Sequence, residues 1–189
     1  MKFLPPDIKK ANIHIGGVFV SSEPAVVRTV LGSCIAACLF DPLSLVGGMN
    51  HFMLPSGLED GELPTRYGVQ AMEVLINNIM QLGGERRRLQ AKVFGGADVL
   101  KMQGNYLRVA EKNRHFIQEF LETEGIRMVA HRVGGVDPLQ VYFFTHTAKV
   151  LVRPLRRENV DQLIDQEGSY RAKISREATK PQSGDVTLF

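Results

Sequence analysis

The chain has 189 residues, enough for one domain of ordinary size plus a tail, and 44% of them are hydrophobic, enough for a real core. Its formal net charge of +3 is too small to argue for nucleic acid, because the basic residues are scattered apart from Arg86-Arg87-Arg88, which reads as a solvated loop. No stretch approaches the roughly 18 to 20 uninterrupted apolar residues needed to cross a bilayer, and Met1 to Lys10 carries Pro5, Pro6 and Asp7 where a signal peptide needs apolar residues, so a cytoplasmic protein without membrane insertion is expected.

In chain order, strands are expected over Ile13 to Val20, Ala25 to Leu31, Cys34 to Phe40 and Leu45 to Met53. A helix follows over Arg66 to Leu82, with Val69, Met72, Leu75, Ile76, Ile79 and Met80 at helical spacing, Thr65 as N-cap and Gly83-Gly84 as the stop. After a strand at Gln90 to Phe94, a second helix over Val109 to Glu124 carries Val109, Phe116, Ile117, Phe120 and Leu121 on one stripe and ends at Gly125. Ile126 to Val133, Gln140 to Phe144 and Lys149 to Pro154 complete the strands. Both helices need a sheet to bury their stripes, so the class is mixed α/β, with helices over one face of a largely antiparallel sheet. Residues 1–158 read as one domain and 159–189 as a polar tail. Asn159 to Glu167 suits a short amphipathic helix, and Gly168 to Asp185, interrupted by Pro and Gly, is expected to be disordered.

Chemistry concentrates in the second hairpin. Asp41-Pro42-Leu43-Ser44 is a turn signal between two apolar runs, and Asp then Pro at its first positions centres the reversal between Pro42 and Leu43. That register makes Cys34 and His51 direct partners on one face, with Cβ atoms about 4.5 to 5.5 Å apart. A thiol beside an imidazole suits a nucleophile with its base, and Gly32-Ser33 could expose amides to an oxyanion. Thr29, five residues before Cys34, is the nearest group able to orient the histidine. In an uninterrupted strand it faces the other way, so it joins the site only if Gly32-Ser33 bends or bulges the chain. Asn50, Ser33 and Asn113 are polar residues that could position substrate or serve turns and strands. Phe94-Gly95-Gly96-Ala97 and Gly134-Gly135 match no phosphate or dinucleotide fingerprint and read as tight turns or as close backbone approaches to a substrate. The histidines and cysteines lack metal-ligand spacing, so neither a metal nor a cofactor is expected. Cys34 and Cys38 lie about 13 Å apart along a strand, too far for a disulfide.

The run Thr29-Val-Leu-Gly-Ser-Cys34 with Gly47-Gly-Met-Asn-His51-Phe-Met-Leu-Pro55 resembles the CheD chemoreceptor glutamine deamidases. The resemblance continues through Lys92-Val-Phe-Gly-Gly-Ala97, Ala110-Glu-Lys-Asn113, Gly125-Ile126 and Val133-Gly-Gly135 to about Leu155. It implies a three-layer α/β/β sandwich, similar to the catalytic domain of cytotoxic necrotizing factor toxins. It also implies Cys34 as nucleophile, His51 as base and acid, and Thr29 as the residue that orients His51. The implied substrate is a glutamine on the cytoplasmic helical bundle of methyl-accepting chemotaxis receptors, and the implied further partner is the phosphatase CheC. Two other classes remain open on the residues: a non-catalytic receptor or CheC-binding adaptor with an inert Cys34, and a thiol redox protein using both cysteines.

Overall fold

The computed structural model describes residues 8–54, 62–99, 105–155 and 159–178. The strands β1 (Lys9–Asn12), β2 (Val18–Ser21), β3 (Ala25–Leu31), β4 (Ile35–Phe40), β5 (Gly47–Asn50), β6 (Gln90–Gly95), β7 (Arg127–Val133), β8 (Leu139–Phe144) and β9 (Val150–Pro154) form two sheets. One runs β1-β3-β8-β9 and the other β2-β5-β4-β6-β7. Pairing is parallel for β1 with β3 and for β6 with β7, and antiparallel elsewhere.

The near-continuous apolar run of β4 is explained by cover on both of its faces. Ile35, Ala37 and Leu39 point at α1 (Glu62–Gln81) and α2 (Asn105–Thr123), which bring Met72, Leu75, Ile76 and Ile79 from one helix and Phe116, Ile117, Phe120 and Leu121 from the other. Phe52 meets Phe116 edge to face at 5.6 Å. Cys34, Ala36 and Cys38 point the opposite way, into a second core shared with Val27, Leu31, Val141 and Phe143 of the other sheet. The layers are therefore helices, sheet, sheet, which is the α/β/β sandwich that the resemblance implies. No helix among the described residues is long and apolar enough to cross a membrane.

Several boundaries differ from the sequence expectation. The first helix starts at Glu62 rather than at a Thr65 cap, since Pro64 is tolerated in a first turn whose amides have no helical acceptor. α2 starts at Asn105, earlier than Val109. The expected strand Ile13 to Val20 breaks, because Gly16 takes φ +84° and the Gly17 amide folds back to the His14 carbonyl at 2.8 Å. β1 lies before it, in a Lys9-Lys10 stretch with no apolar alternation to announce it. The tail is helical well past the expected limit: α3 spans Val160–Ala178, correcting the disorder expected from Gly168. Residues 179–185 of that expectation lie outside the described residues.

The hairpin between β4 and β5 is organised by Asp41. Its Oδ1 accepts the Leu43 amide at 2.9 Å and its Oδ2 the Glu85 amide at 3.0 Å, while Arg88 donates through Nε and Nη2, the latter at 2.6 Å. Arg86 donates to Glu73 at 2.7 Å and to Glu124 at 2.6 Å. The basic run read as a solvated loop is thus a 3-10 turn, Arg86–Arg88, that ties α1, α2 and the hairpin together, with Arg87 alone largely exposed at 82%. The Arg88 guanidinium, helped by backbone amides, holds the Asp41 carboxyl well below the usual carboxylate range. A depressed pKa contributes stability that is complete above the unfolded value near ~4 and is lost as pH falls toward the folded one. Asp41→Ala should therefore lower the urea midpoint clearly at pH 7, with the gap from wild type closing below about pH 4 in the same titration.

Candidate active site

The chain passes from the first sheet to the second at Gly32-Ser33-Cys34, between β3 and β4. All three carbonyls of this turn are occupied on one side. Ala97 N donates to Gly32 O at 2.8 Å, Asn113 Nδ2 to Ser33 O at 2.9 Å, and Gly96 N to Cys34 O at 2.7 Å. The three amides are left to converge on the other side, where they form an anion cradle. The Glu167 carboxylate of α3 fills it, accepting from Gly32 N at 2.9 Å, Ser33 N at 3.0 Å, Cys34 N at 3.4 Å and the Ser33 hydroxyl at 2.6 Å.

The glycine pairs singled out in the sequence build the floor of this turn. Gly95 has φ +105°, and a Cβ there would stand 2.2 Å from the Cys34 carbonyl oxygen, so only glycine lets β6 approach. Gly134 N in turn donates to Gly95 O at 2.9 Å, and Asp98 N to Gly135 O at 2.8 Å. Asn113, fully buried on α2, also accepts the Leu54 amide at 2.8 Å, so one side chain fixes both the Gly32-Ser33-Cys34 turn and the chain after β5.

His51 is gripped by its backbone and by its ring. Gly16 N donates to His51 O at 2.7 Å and His51 N to Gly17 O at 3.0 Å. Ring Nδ1 lies 2.8 Å from Thr29 Oγ1, and Thr29 Oγ1 is 2.9 Å from the Ile13 carbonyl. A hydroxyl has one proton, and a carbonyl can only accept it. Thr29 must then accept from Nδ1–H, which assigns the tautomer and leaves a lone pair on Nε2. Nε2 is buried and has no hydrogen-bond partner among the described residues. Burial pushes the imidazole pKa down to about 3, with His14 adding to the shift, so the ring is neutral at physiological pH. Burial also pushes the Cys34 thiol well up, and the neighbouring Glu167 carboxylate pushes it further. Thiol and imidazole are both neutral with α3 in place.

Thr29 thus lies against His51 without any strand bulge. The parity objection assumed one continuous strand, whereas β3 and β4 belong to facing sheets and Thr29 looks across the gap between them. The hairpin register also differs from the expected one. Phe40 pairs with Gly47, Leu39 with Gly48 and Ile35 with Phe52, so the reversal is centred between Leu43 and Ser44. Ala36, not Cys34, stands across from His51. The shift is an even one, so Cys34 and His51 keep a common face as diagonal neighbours, a relation that puts Cα atoms roughly 7 to 8 Å apart. Ser33 is at the cradle. Asn50 lies on the opposite face of β5 from the His51 ring, its Oδ1 accepting Ala37 N at 3.1 Å and its Nδ2 donating to Ala71 O at 3.0 Å.

Sequence reasoning missed Glu167 and the Ile13 carbonyl. A trace of the first was present, because Leu163, Glu167, Tyr170 and Ile174 share one helical stripe on which Glu167 is the single charge.

Comparison with known proteins identifies the family. A family model described as CheD chemotactic sensory transduction matches residues 53–154. A protein of Thiobacillus denitrificans named "Probable chemoreceptor glutamine deamidase CheD" is 42% identical over 187 residues, covering 97% of this chain and 91% of that one. The chain belongs to the CheD family. A namesake from Janthinobacterium sp. (strain Marseille) is 42% identical over 97% of this chain and 90% of its own length, and CheD 1 of Dechloromonas aromatica is 42% identical over 96% and 90%. The family-model match begins after Thr29, Cys34 and His51, and takes in Gly95, Gly96 and Asn113, which support the turn. Asn113→Ala, by stranding the buried Leu54 amide and Ser33 carbonyl, should cost about 2 to 4 kcal/mol of stability in urea unfolding.

Proposed function

We propose that this protein is a chemoreceptor glutamine deamidase in chemotaxis signalling, acting through a Cys34 thioester. Family membership supports the activity and its setting, since the relatives carry that name. The observation that carries the residue assignment is the Thr29 to His51 hydrogen bond, which leaves Nε2 as a free base on the face that also holds Cys34, beside a turn whose amides bind an anion.

In the first half-reaction His51 Nε2 takes the thiol proton and Cys34 Sγ attacks the carboxamide carbon of the substrate glutamine. Negative charge moves to the amide oxygen, where Gly32, Ser33 and Cys34 N–H groups receive it. As the intermediate collapses, the C–N bond breaks, His51 gives its proton to the departing nitrogen, and ammonia leaves a thioester behind. In the second half, Nε2 takes a proton from water. The resulting hydroxide attacks the thioester, the C–S bond breaks, and glutamate and the free thiol are released after the proton returns to sulfur. Thr29 touches no reacting atom in this scheme. It positions the ring and keeps the proton on Nδ1, so that Nε2 alone carries the traffic. The phosphatase CheC is the further protein partner that the family reading brings, to be tested by co-purification with this chain.

The test is incubation with purified chemoreceptor cytoplasmic fragments, following ammonia and the mass change of amide to acid. Cys34→Ala should abolish both while its circular dichroism matches wild type; substantial ammonia from that variant sinks the assignment. Thr29→Val should lower kcat about 100-fold with little change in KM, and Thr29→Ser, which restores the acceptor, should recover most of the loss.

A further inference from the structure

Docked α3 lies against Cys34, with the Glu167 carboxylate beside it. Cys34 is fully buried and His51 is 2% exposed, so no protein side chain reaches either while the helix is docked. The helix is held by a thin stripe: among its described side chains only Leu163, Glu167 and Ile174 are buried, with Tyr170 half-buried between them. Tyr170 forms one wall of a cavity of about 190 Å3 that runs beside His51 and Met53 to Tyr67 and Gln70 of α1. A charge inside a docking stripe is costly unless it is fully hydrogen-bonded. Glu167 meets that condition only in the cradle, where three amides and one hydroxyl surround its carboxylate. Gly168, beside it, weakens the helix relative to alanine, as mid-helix glycine does.

We infer that α3 is a plug carried by the chain itself, in which Glu167 stands where the glutamate product would stand and turnover requires the helix to leave. The naming of Glu167 as a product mimic rests on the deamidase reading above; the closure itself rests on geometry. A glutamine deamidase produces a glutamate carboxylate at the amides of its nucleophile turn, and α3 supplies a glutamate carboxylate to those amides from a helix. Substrate and Glu167 therefore compete for one cradle, and the local concentration of the tethered group favours closure. Departure of Glu167 also removes a negative charge from beside the thiol, so opening and activation of Cys34 coincide. A receptor segment that outcompetes α3 would shift the population to the open state by as much as it binds that state better.

The experiment is alkylation of the full-length protein by iodoacetamide at neutral pH, with Cys34 and Cys38 read separately by peptide mass spectrometry. Cys38 is buried in the same core, four residues further along and with Lys92 rather than Glu167 as its charged neighbour, and serves as the internal control for general loosening. Glu167→Ala should raise the Cys34 rate at least ~tenfold and leave Cys38 unchanged, because the charge-assisted bonds that hold the helix are gone. Glu167→Gln, equal in size but offering only one acceptor oxygen, should fall between the two and covers the case in which the alanine variant folds poorly. A Cys34 rate equal to wild type in both variants overturns the plug, as does a joint rise of Cys34 and Cys38. Ammonia release from chemoreceptor fragments separates the two readings. Unmasked Cys34 without ammonia keeps the plug and sinks the deamidase; ammonia at wild-type rate with unchanged labelling does the reverse.

Discussion

Three consecutive peptide units, Gly32 to Cys34, carry a constraint on which the centre of the molecule depends. The chain must leave one sheet and enter the other there, inside the protein, where each backbone group has to find a partner. The solution sorts the groups by side. The β6 exit and Asn113 take every carbonyl, and what remains is a set of parallel amides with nothing of their own sheet to bond. An anion site is a by-product of satisfying the crossing. The thiol then inherits its position from backbone bonds to β6 and α2 rather than from its own strand alone, which is a stiffer mounting than a surface loop provides.

Much of the architecture could be read in the sequence because burial on each face follows period. The apolar run of β4 and the stripes of α1 and α2 gave a helix-covered sheet, and β3 appears with its expected bounds. Parity also put Cys34 and His51 on a common face. What escaped had no local signal. The turn is longer than Asp-Pro suggests because Leu45 takes φ +57°, a conformation that Gly or Asn would advertise and leucine does not. The Gly32-Ser33 break is visible in the sequence, yet nothing local tells that the two flanking strands join different sheets. That long-range fact decided where Thr29 points. α3 was undercalled because its apolar positions are sparse and its fourth contact is a glutamate, whose partner lies 135 residues away.

Support and chemistry come from different stretches of chain. The segment matched by the family model supplies the glycine floor, Asn113, α1, α2 and strands β6 to β9. Thr29, Cys34 and His51 precede it, packed into the seam where the two sheets face each other. A site at a seam can use the rigidity of both layers, and the polar reach of Thr29 across it couples them at one atom pair.

The grip on His51 has a consequence for how the N-terminal stretch should be regarded. The bend Ile13 to Gly17 holds the imidazole twice, through Gly16 and Gly17 to its backbone and through the Ile13 carbonyl to the hydroxyl that fixes its ring. Strand β1 pins that bend by running parallel to β3. A polar stretch that draws no notice in the sequence is thus what holds His51. Fraying at this edge would let the Thr29 hydroxyl turn and the ring proton move from Nδ1 to Nε2, so that the lone pair faces threonine while every side chain stays in place.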